Sequence, residues 1–305
     1  MDRLHAMATF VAVAEEAGFA PAARRLGLSP PSVTRAVAEL EERLNARLFH
    51  RTTRRVQLTS AGERYLSDCR RILQEIEDAD SAAAGVHGRL QGRVTITSSV
   101  LFGRLVLGPM LLEFLRRHPL LTVTSLQVDR VVNLMEEDID VAVRIAELPD
   151  SSLSARRVGS IGRVLCASPA YLEEHGRPAT PEELAAHATI GFAGSAPLSE
   201  WTFHRNGARK TLRPRARLQV NNADLAIAAA KDGFGITRVL SYMVAREVEA
   251  GALEIILEDY APPLVPVHVV HRETGQTSAR VRALFDFLAE RLNGHPAVRQ
   301  PAGTR

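Results

Sequence analysis

LSPPSVTRAVAELEERL, from Leu28 to Leu44, has the marks of a helix that shows one face to a core and another to a partner. Ser29 stands where an N-cap is wanted, and Pro30 fills the first helical position, where a missing N–H costs nothing. Apolar side chains recur at Val33, Val37, Leu40 and Leu44, the spacing that keeps one stripe against a core. Ser32, Thr34 and Arg35 fall off that stripe in the first turns. Short polar side chains beside an arginine at a helix N-terminus suit a DNA major groove. An ordinary amphipathic surface helix has the same stripe, so the flanks decide.

Upstream, Leu4, Met7, Phe10, Val11 and Ala14 predict a first helix capped by Asp2 and ended by Gly18. A second short helix is predicted over Pro21–Leu26, where Ala22 and Ala23 permit close approach, and Gly27 supplies a left-handed stop. Helix, short helix, tight turn, helix is the helix-turn-helix order. Downstream, short strands around Leu48–Phe49 and Val56–Leu58 flank a polar loop from Arg51 to Arg55, a hairpin wing. Its Arg51, Arg54 and Arg55, with Thr52 and Thr53, form a contact set for phosphates and a minor groove. Between Arg24 and Arg55 eight arginines face three acids, an excess above the +3 of the whole chain, so the remainder is slightly acidic. A solvated charged face is the bland explanation; the concentration favours nucleic acid.

Ser60 and Glu63 then stand at capping-box spacing before a long helix. Leu66, Cys69, Leu73, Ile76 and Ala83 alternate by three and four, broken at Asp80, which predicts a short coiled-coil seam and pairing with a second copy. The helix should dissolve between Gly85 and Gly92, giving a domain linker.

The rest alternates strand and helix. Val94–Ser98 leads to a helix from about Leu105 to His118, Leu121–Val128 to a short helix near Leu134, and then Val141–Ile145 follows. This order implies a parallel sheet with helices on both faces. A second set follows: strand Arg163–Ala167, helical segments Ala170–His175 and Pro181–Ala186, and strands Ile190–Phe192, Trp201–His204 and Arg215–Val220. Helix Asp224–Ala230, strand Ile236–Arg238, helix Tyr242–Ala250, strands Leu253–Leu257 and Val265–Val270, and helix Ser278–Leu292 close the pattern. The tail from Gly294 is expected to be disordered.

A chain of 305 residues, 46% hydrophobic and 24% charged, builds a sizeable core in two or three domains and is not wholly disordered. The pI is about 9.2 and nearly all positive charge is arginine, whose planar fork suits phosphate and guanine edges, although an arginine-biased genome composition looks the same. Cys69 and Cys166 lie far apart without a C-x-x-C pair, which argues against a disulfide scaffold or structural zinc and fits a reducing compartment. MDRLHAMATF lacks the basic-then-apolar pattern of a signal peptide, and no apolar run spans a bilayer. A soluble, cytoplasmic chain without membrane partner, cofactor or metal is expected.

With these segments assembled, the chain resembles the LysR-type transcriptional regulators over nearly its whole length. The likeness is carried by FVAVAEEAGFAPAARRLGLSPPSVTRAVAELEERLNARLFHRTTRRVQLTSAG, DVAVRIAELPDSSLSARRVG, LCASPAYL and VNNADLAIAAAKDGFGITRVLSY. The resemblance implies an α/β protein with an all-α N-terminal part. A winged helix-turn-helix would span residues 1–58 and a linker/dimerisation helix with hinge residues 59–92. An effector-binding domain of two Rossmann-like subdomains, as in periplasmic binding proteins, would span 93–294, with 295–305 as tail. Subdomain I would comprise 93–161 and 267–294, and subdomain II 162–266, with the chain crossing near Ser160–Arg163 and Pro263–Val267. The family's base-contacting residues correspond here to Pro30, Pro31, Ser32, Thr34 and Arg35, with Arg51, Arg54 and Arg55 on the wing. The resemblance also implies double-stranded promoter or operator DNA, a small-molecule effector, self-association as dimer or tetramer, and RNA polymerase as partners. Two departures stand out. Ala17-Gly18-Phe19 replaces the commoner Gly-Ser-Phe, weakening the cap of the second helix. Pro30 replaces a frequent glutamine, removing an amide able to read adenine.

The effector site is expected where strands end and a doubly wound sheet opens its crevice. Ser98 and Ser99 offer hydroxyls and N–H groups to a carboxylate, or simply cap a helix. Asp129, Arg144, Asn221 and Ile236 sit at other strand ends facing the same cleft; Arg144 has a structural ion pair as its alternative role, and Trp201 is expected to pack. An enzyme is disfavoured: there is no G-x-G-x-x-G opening a helix, no P-loop, no G-x-S-x-G, and no H-x-x-x-H pair, so no catalytic residue is assigned. The missing signal peptide and the arginine-rich N-terminal module argue against a solute-binding protein. A constitutive DNA-binding regulator whose C-terminal half only oligomerises remains the alternative.

Overall fold

The computed structural model describes residues 2–51, 56–83, 90–148, 153–192, 200–272 and 277–299. The chain divides into two compact units, Met1–Arg89 and Leu90–Arg305.

In the first unit α1 (Arg3–Glu15) starts under Asp2, whose carboxylate accepts the Leu4 N–H at 3.2 Å. Gly18 does not end this helix. Ala17 takes the left-handed turn at φ +48°, and Gly18 is extended as the N-cap of α2 (Phe19–Leu26), which starts earlier than predicted and has no side-chain cap. Gly27, at φ +66°, makes the turn that only glycine adopts without strain. In α3 (Pro30–Leu44) the Ser29 Oγ accepts the Ser32 N–H at 3.3 Å, with Pro30 in the first turn. Val33, Ala36, Val37, Leu40 and Glu41 are its buried face. Strands β1 (Phe49–Arg51) and β2 (Val56–Leu58) pair antiparallel as the wing. Its tip, Thr52 to Arg55, lies outside the described residues.

The long helix α4 (Ser60–Ala83) is capped by Thr59 rather than Ser60: Thr59 Oγ1 accepts the Gly62 N–H at 2.9 Å and donates to the Arg47 carbonyl at 2.7 Å. Gly62 packs so closely on the wing that a Cβ there would sit 2.1 Å from the Leu48 carbonyl oxygen. The expected seam of α4 is only partly free. Cys69 is fully buried in the unit's own core, and Tyr65, Leu66, Ile72 and Leu73 pack against that core, around the Phe10 ring that lies 5.6 Å from Tyr65 and 5.2 Å from Phe49.

In the second unit β3 (Gly92–Ser98) leads directly into α5 (Val100–Phe102), a π-helical segment Gly103–Leu107, and α6 (Gly108–Arg117), so the helical run starts ahead of Leu105. Strands β4 (Leu121–Gln127) and β5 (Val141–Ile145) follow. No helix forms at Leu134: the Asn133 side chain accepts the Met135 N–H at 3.0 Å and holds a turn, the local competition that makes asparagine a poor helix residue. Strand β6 (Leu153–Ile161), which the sequence reading passed over, precedes β7 (Arg163–Ala167), α7 (Pro169–His175), a 3-10 turn Pro181–Ala186 and β8 (Thr189–Phe192). Then come β9 (Trp201–Arg205), its hairpin partner β10 (Ala208–Leu212), β11 (Ala216–Val220), α8 (Ala223–Lys231) and β12 (Ile236–Leu240). The helix expected over Tyr242–Ala250 is split at Val244 into a 3-10 turn, Ser241–Met243, and α9 (Ala245–Glu249). Strands β13 (Glu254–Ile256) and β14 (Val265–Arg272) and helix α10 (Ala279–Leu292) complete the unit.

Two five-stranded sheets result, ordered β4-β3-β5-β14-β6 and β11-β8-β12-β7-β13. In each, the first three strands run parallel as expected, but the last two run antiparallel to their neighbours. Two of these antiparallel partners continue from the opposite sheet. The chain passes from β6 to β7 through Gly162 alone, and returns from β13 to β14 through residues 257–264. The expected disorder from Gly294 is not observed as far as Arg299. Val298 is buried and Arg299 exchanges two backbone hydrogen bonds with Ser160, each 2.8 Å, because the outer edge of β6 offers unpaired groups there.

Candidate functional site

The exposed face of α3 is the complement of its buried stripe. Pro30, Pro31, Ser32, Thr34 and Arg35 are all exposed, while Val33, Ala36 and Val37 anchor the helix behind them. Ser32 Oγ shares a 2.8 Å hydrogen bond with Ser29 Oγ, and Thr34 Oγ1 donates to the Pro30 carbonyl at 3.0 Å. With its proton so engaged, Thr34 presents a methyl group and an acceptor outward. Arg35 makes no ion pair among the described residues. Arg51 ends β1 next to the tip, and Arg54 and Arg55 lie outside the described residues.

Glu41, which the sequence reading counted only as surface charge, holds the wing against α3. Its Oε1 accepts the Leu48 and Phe49 N–H groups at 2.8 and 3.2 Å, and Oε2 meets Arg47 at 3.2 Å. The carboxylate is 4% exposed, so these donors replace water around a buried charge. Its place one helical turn after Val37, on the apolar stripe, was the available signal.

In the second unit a cavity of about 190 Å³ opens between the two sheets. By this measure one water needs about 10–15 Å³, so the space suits a small metabolite rather than a peptide. Ser98, Ser99, Asp129 and Arg144 all line it. Ser99 holds the N-cap position of α5 but its side chain makes no capping hydrogen bond: Asp129 Oδ1 accepts the Val100 N–H at 3.1 Å, and Ser98 Oγ donates to the Ser99 carbonyl at 3.2 Å. Ser99 Oγ and Tyr242 OH are buried, and neither completes a hydrogen bond of normal geometry. Burial pushes the Tyr242 phenol up, well away from ionisation at neutral pH. Arg144 is half-buried and donates to the Val132 carbonyl at 2.6 Å. Burial draws its pKa down, the nearby Glu137 is engaged by Arg130 through two 2.6 Å hydrogen bonds, and among the described residues Arg144 forms no ion pair.

Two expected residues do not reach the cavity. Asn221 is exposed at the end of β11, the outer strand of its sheet, with β8 between it and β12. Ile236 is fully buried at the first position of β12 and packs with Leu165, Tyr171 and Phe203, whereas the cavity meets the later part of that strand.

Three lining residues were missed or under-read: Arg163, Arg238 and Trp201. Trp201 does pack as expected, but it also walls the cavity, and the Arg238 guanidinium carbon lies 5.5 Å from its ring centroid. Burial, and then the charge of Arg163, lower Arg238 to about 10. Burial alone lowers Arg163. An arginine between Thr237 and Val239, inside a strand whose other residues are all buried or half-buried, was the legible clue.

Comparison with known proteins assigns both units. Residues 4–63 match the description "Bacterial regulatory helix-turn-helix protein, lysR family", and residues 87–293 match "LysR substrate binding domain". A transcriptional repressor of Pseudomonas aeruginosa is 32% identical over 98% of this chain and 95% of its own length. A transcriptional regulator of Xanthomonas campestris is 35% identical over 93% of this chain and 84% of its own. The solved structure of CrgA, a LysR-type regulator from Neisseria meningitidis, superposes with a TM-score of 0.62 at 30% identity, covering 95% of this chain and 99% of that one.

Proposed function

Because the chain belongs to the LysR family of transcriptional regulators, with their DNA-binding helix-turn-helix and effector-binding domain, we propose which residues perform each task here. Pro31, Ser32, Thr34 and Arg35 read base edges in a major groove, with Pro30 shaping the entry turn and Arg51, Arg54 and Arg55 gripping the flanking backbone. The observation that carries this reading is the continuous exposed face of α3 set directly behind its buried stripe. Arg35 supplies the bidentate fork that suits guanine, and Thr34 the methyl and acceptor that suit thymine and a base amino group. Pro30 removes an amide from the same face, so adenine recognition through that position is absent.

The effector occupies the cavity bounded by Ser98, Ser99, Asp129 and Arg144, and shifts the equilibrium between DNA-bound states by binding one of them better. Asn221 and Ile236 take no part. Two copies pair along the face of α4 left free by the packing of Leu66, Cys69 and Leu73, and present two reading helices to a two-fold site; tetramers follow from a second contact. The protein acts in the cytoplasm, contacts RNA polymerase at its promoters and carries no catalytic activity. Among the described residues no helix is long and apolar enough to cross a membrane.

Footprinting of the full-length protein on the DNA upstream of its own gene tests this. A salt-sensitive protected site is expected, and its extent should change when a small organic acid that fits the cavity is added. A footprint indifferent to every ligand and to substitution of Arg144 would leave the constitutive regulator as the better reading. No footprint on any promoter fragment would remove the DNA-reading role of α3.

A further inference from the structure

The pairing register of β7 and β12 sets two cations side by side. Leu240 stands opposite Arg163, and Arg238 stands opposite Leu165. Directly opposed residues share a face, and so do residues two apart along a strand, so Arg163, Arg238, Leu165 and Leu240 all project from one side of the sheet. The two guanidinium groups are therefore diagonal neighbours, and both line the cavity.

Two like charges removed from water are expensive unless something neutralises them. The protein supplies little. Arg238 donates to the Glu200 carbonyl at 2.7 Å and leans on Trp201. Among the described residues neither arginine has a carboxylate within ion-pair distance. Asp129, the acid on the cavity wall, is committed to the Val100 N–H. Phe192, Trp201, Val143, Ile145 and Met243 make much of the remaining wall apolar.

Taking the cavity as the effector site, we propose that Arg163 and Arg238 hold the anionic end of the effector, and that this effector is a small organic carboxylate whose carbon skeleton lies against Trp201. The carboxylate provides the missing counter-charge and two acceptors for forked donors. The apolar wall accounts for the carbon skeleton, which an inorganic anion lacks.

Trp201 is the single tryptophan of the chain, so intrinsic fluorescence of the full-length protein reports on this wall. Benzoate and hexanoate, tested against benzamide, hexanamide and inorganic phosphate, separate charge from shape. The acids should shift the emission and raise the thermal midpoint, and the amides and phosphate should do neither. Arg163→Gln and Arg238→Gln should each weaken the benzoate response about ten- to a hundredfold, the loss of a charge-assisted hydrogen bond. Arg163→Lys, which keeps the charge, should retain part of it. Without ligand, Arg163→Gln should melt no lower than the parent, because it removes a desolvated like charge; a merely structural arginine would lower the midpoint. The proposal fails if amides bind as well as acids, if phosphate matches benzoate, if Arg163→Gln keeps the benzoate affinity, or if no acid acts at high millimolar concentration. Operator binding, measured on the same samples, separates that failure from failure of the regulator reading, since it persists in the former and not in the latter.

Discussion

Replacing Glu41 by leucine would leave the Leu48 and Phe49 N–H groups without an acceptor. Those residues are 1% and 3% exposed, so water does not take over. Each orphaned buried N–H costs about 1–3 kcal/mol, which puts the loss at about 2–6 kcal/mol for the pair. In a unit that ends at Arg89, each kcal/mol moves the midpoint by about 4–8 °C. Glu41→Gln keeps a carbonyl oxygen for both donors and loses mainly charge assistance, about 1–2 kcal/mol. The contact to Arg47 adds little, because that side chain is 77% exposed. Calorimetry of the full-length protein should show the first unit melting far lower in Glu41→Leu and lower by a smaller amount, about 4–16 °C, in Glu41→Gln. DNA affinity should fall for operator and random sequence alike, since the wing loses its position rather than a base contact. A leucine variant melting within about 2 °C of the parent, or a glutamine variant as damaged as the leucine one, would refute the argument.

Arg35→Ala should weaken operator binding by about 1–3 kcal/mol more than random-DNA binding; equal losses on both would make Arg35 a phosphate contact. Removing Arg54 and Arg55 together should lower affinity on every sequence and flatten the salt dependence by about two in slope, which titration of binding against salt measures. His187, His268 and His295 are all held below their ordinary pKa by burial. Unfolding lets each take a proton more readily, so stability is full above about pH 6.5 and is lost as pH falls below it. The thermal midpoint should drop across that range, and His268→Gln should shrink the drop. Burial pushes Cys69 up to about 11 and Cys166 up to about 12. Neither should react with an alkylating reagent at neutral pH until denaturant is added; fast labelling of the native chain would contradict their burial.

The reading helix was legible because its evidence is local: a capping serine, a proline in the first turn and a stripe of spaced apolar side chains. The parallel strands were legible for the same reason, being short β-branched runs between helical segments. What escaped notice depends on contacts distant in sequence. Strand β6 begins in polar Leu153–Arg157 and becomes a strand through pairing with β14, more than a hundred residues later. The seam of α4 has coiled-coil spacing, but Cys69 found its partners in α1 and the wing rather than in a second chain. Ile236 and Asn221 looked like site residues because strand ends were treated as equivalent; only the assembled sheet distinguishes the end of β12 that opens on the cavity. Arg163 and Arg238 become a pair through antiparallel register alone, and no spacing in the sequence announces it.

The burial of Tyr65, Leu66, Cys69 and Leu73 against Phe10 and its neighbours welds the long helix to the domain it leaves. Over those turns the long helix and the reading head therefore share one core. Should two copies pair along this helix as proposed, the angle between them would fix the distance between the two exposed faces of α3.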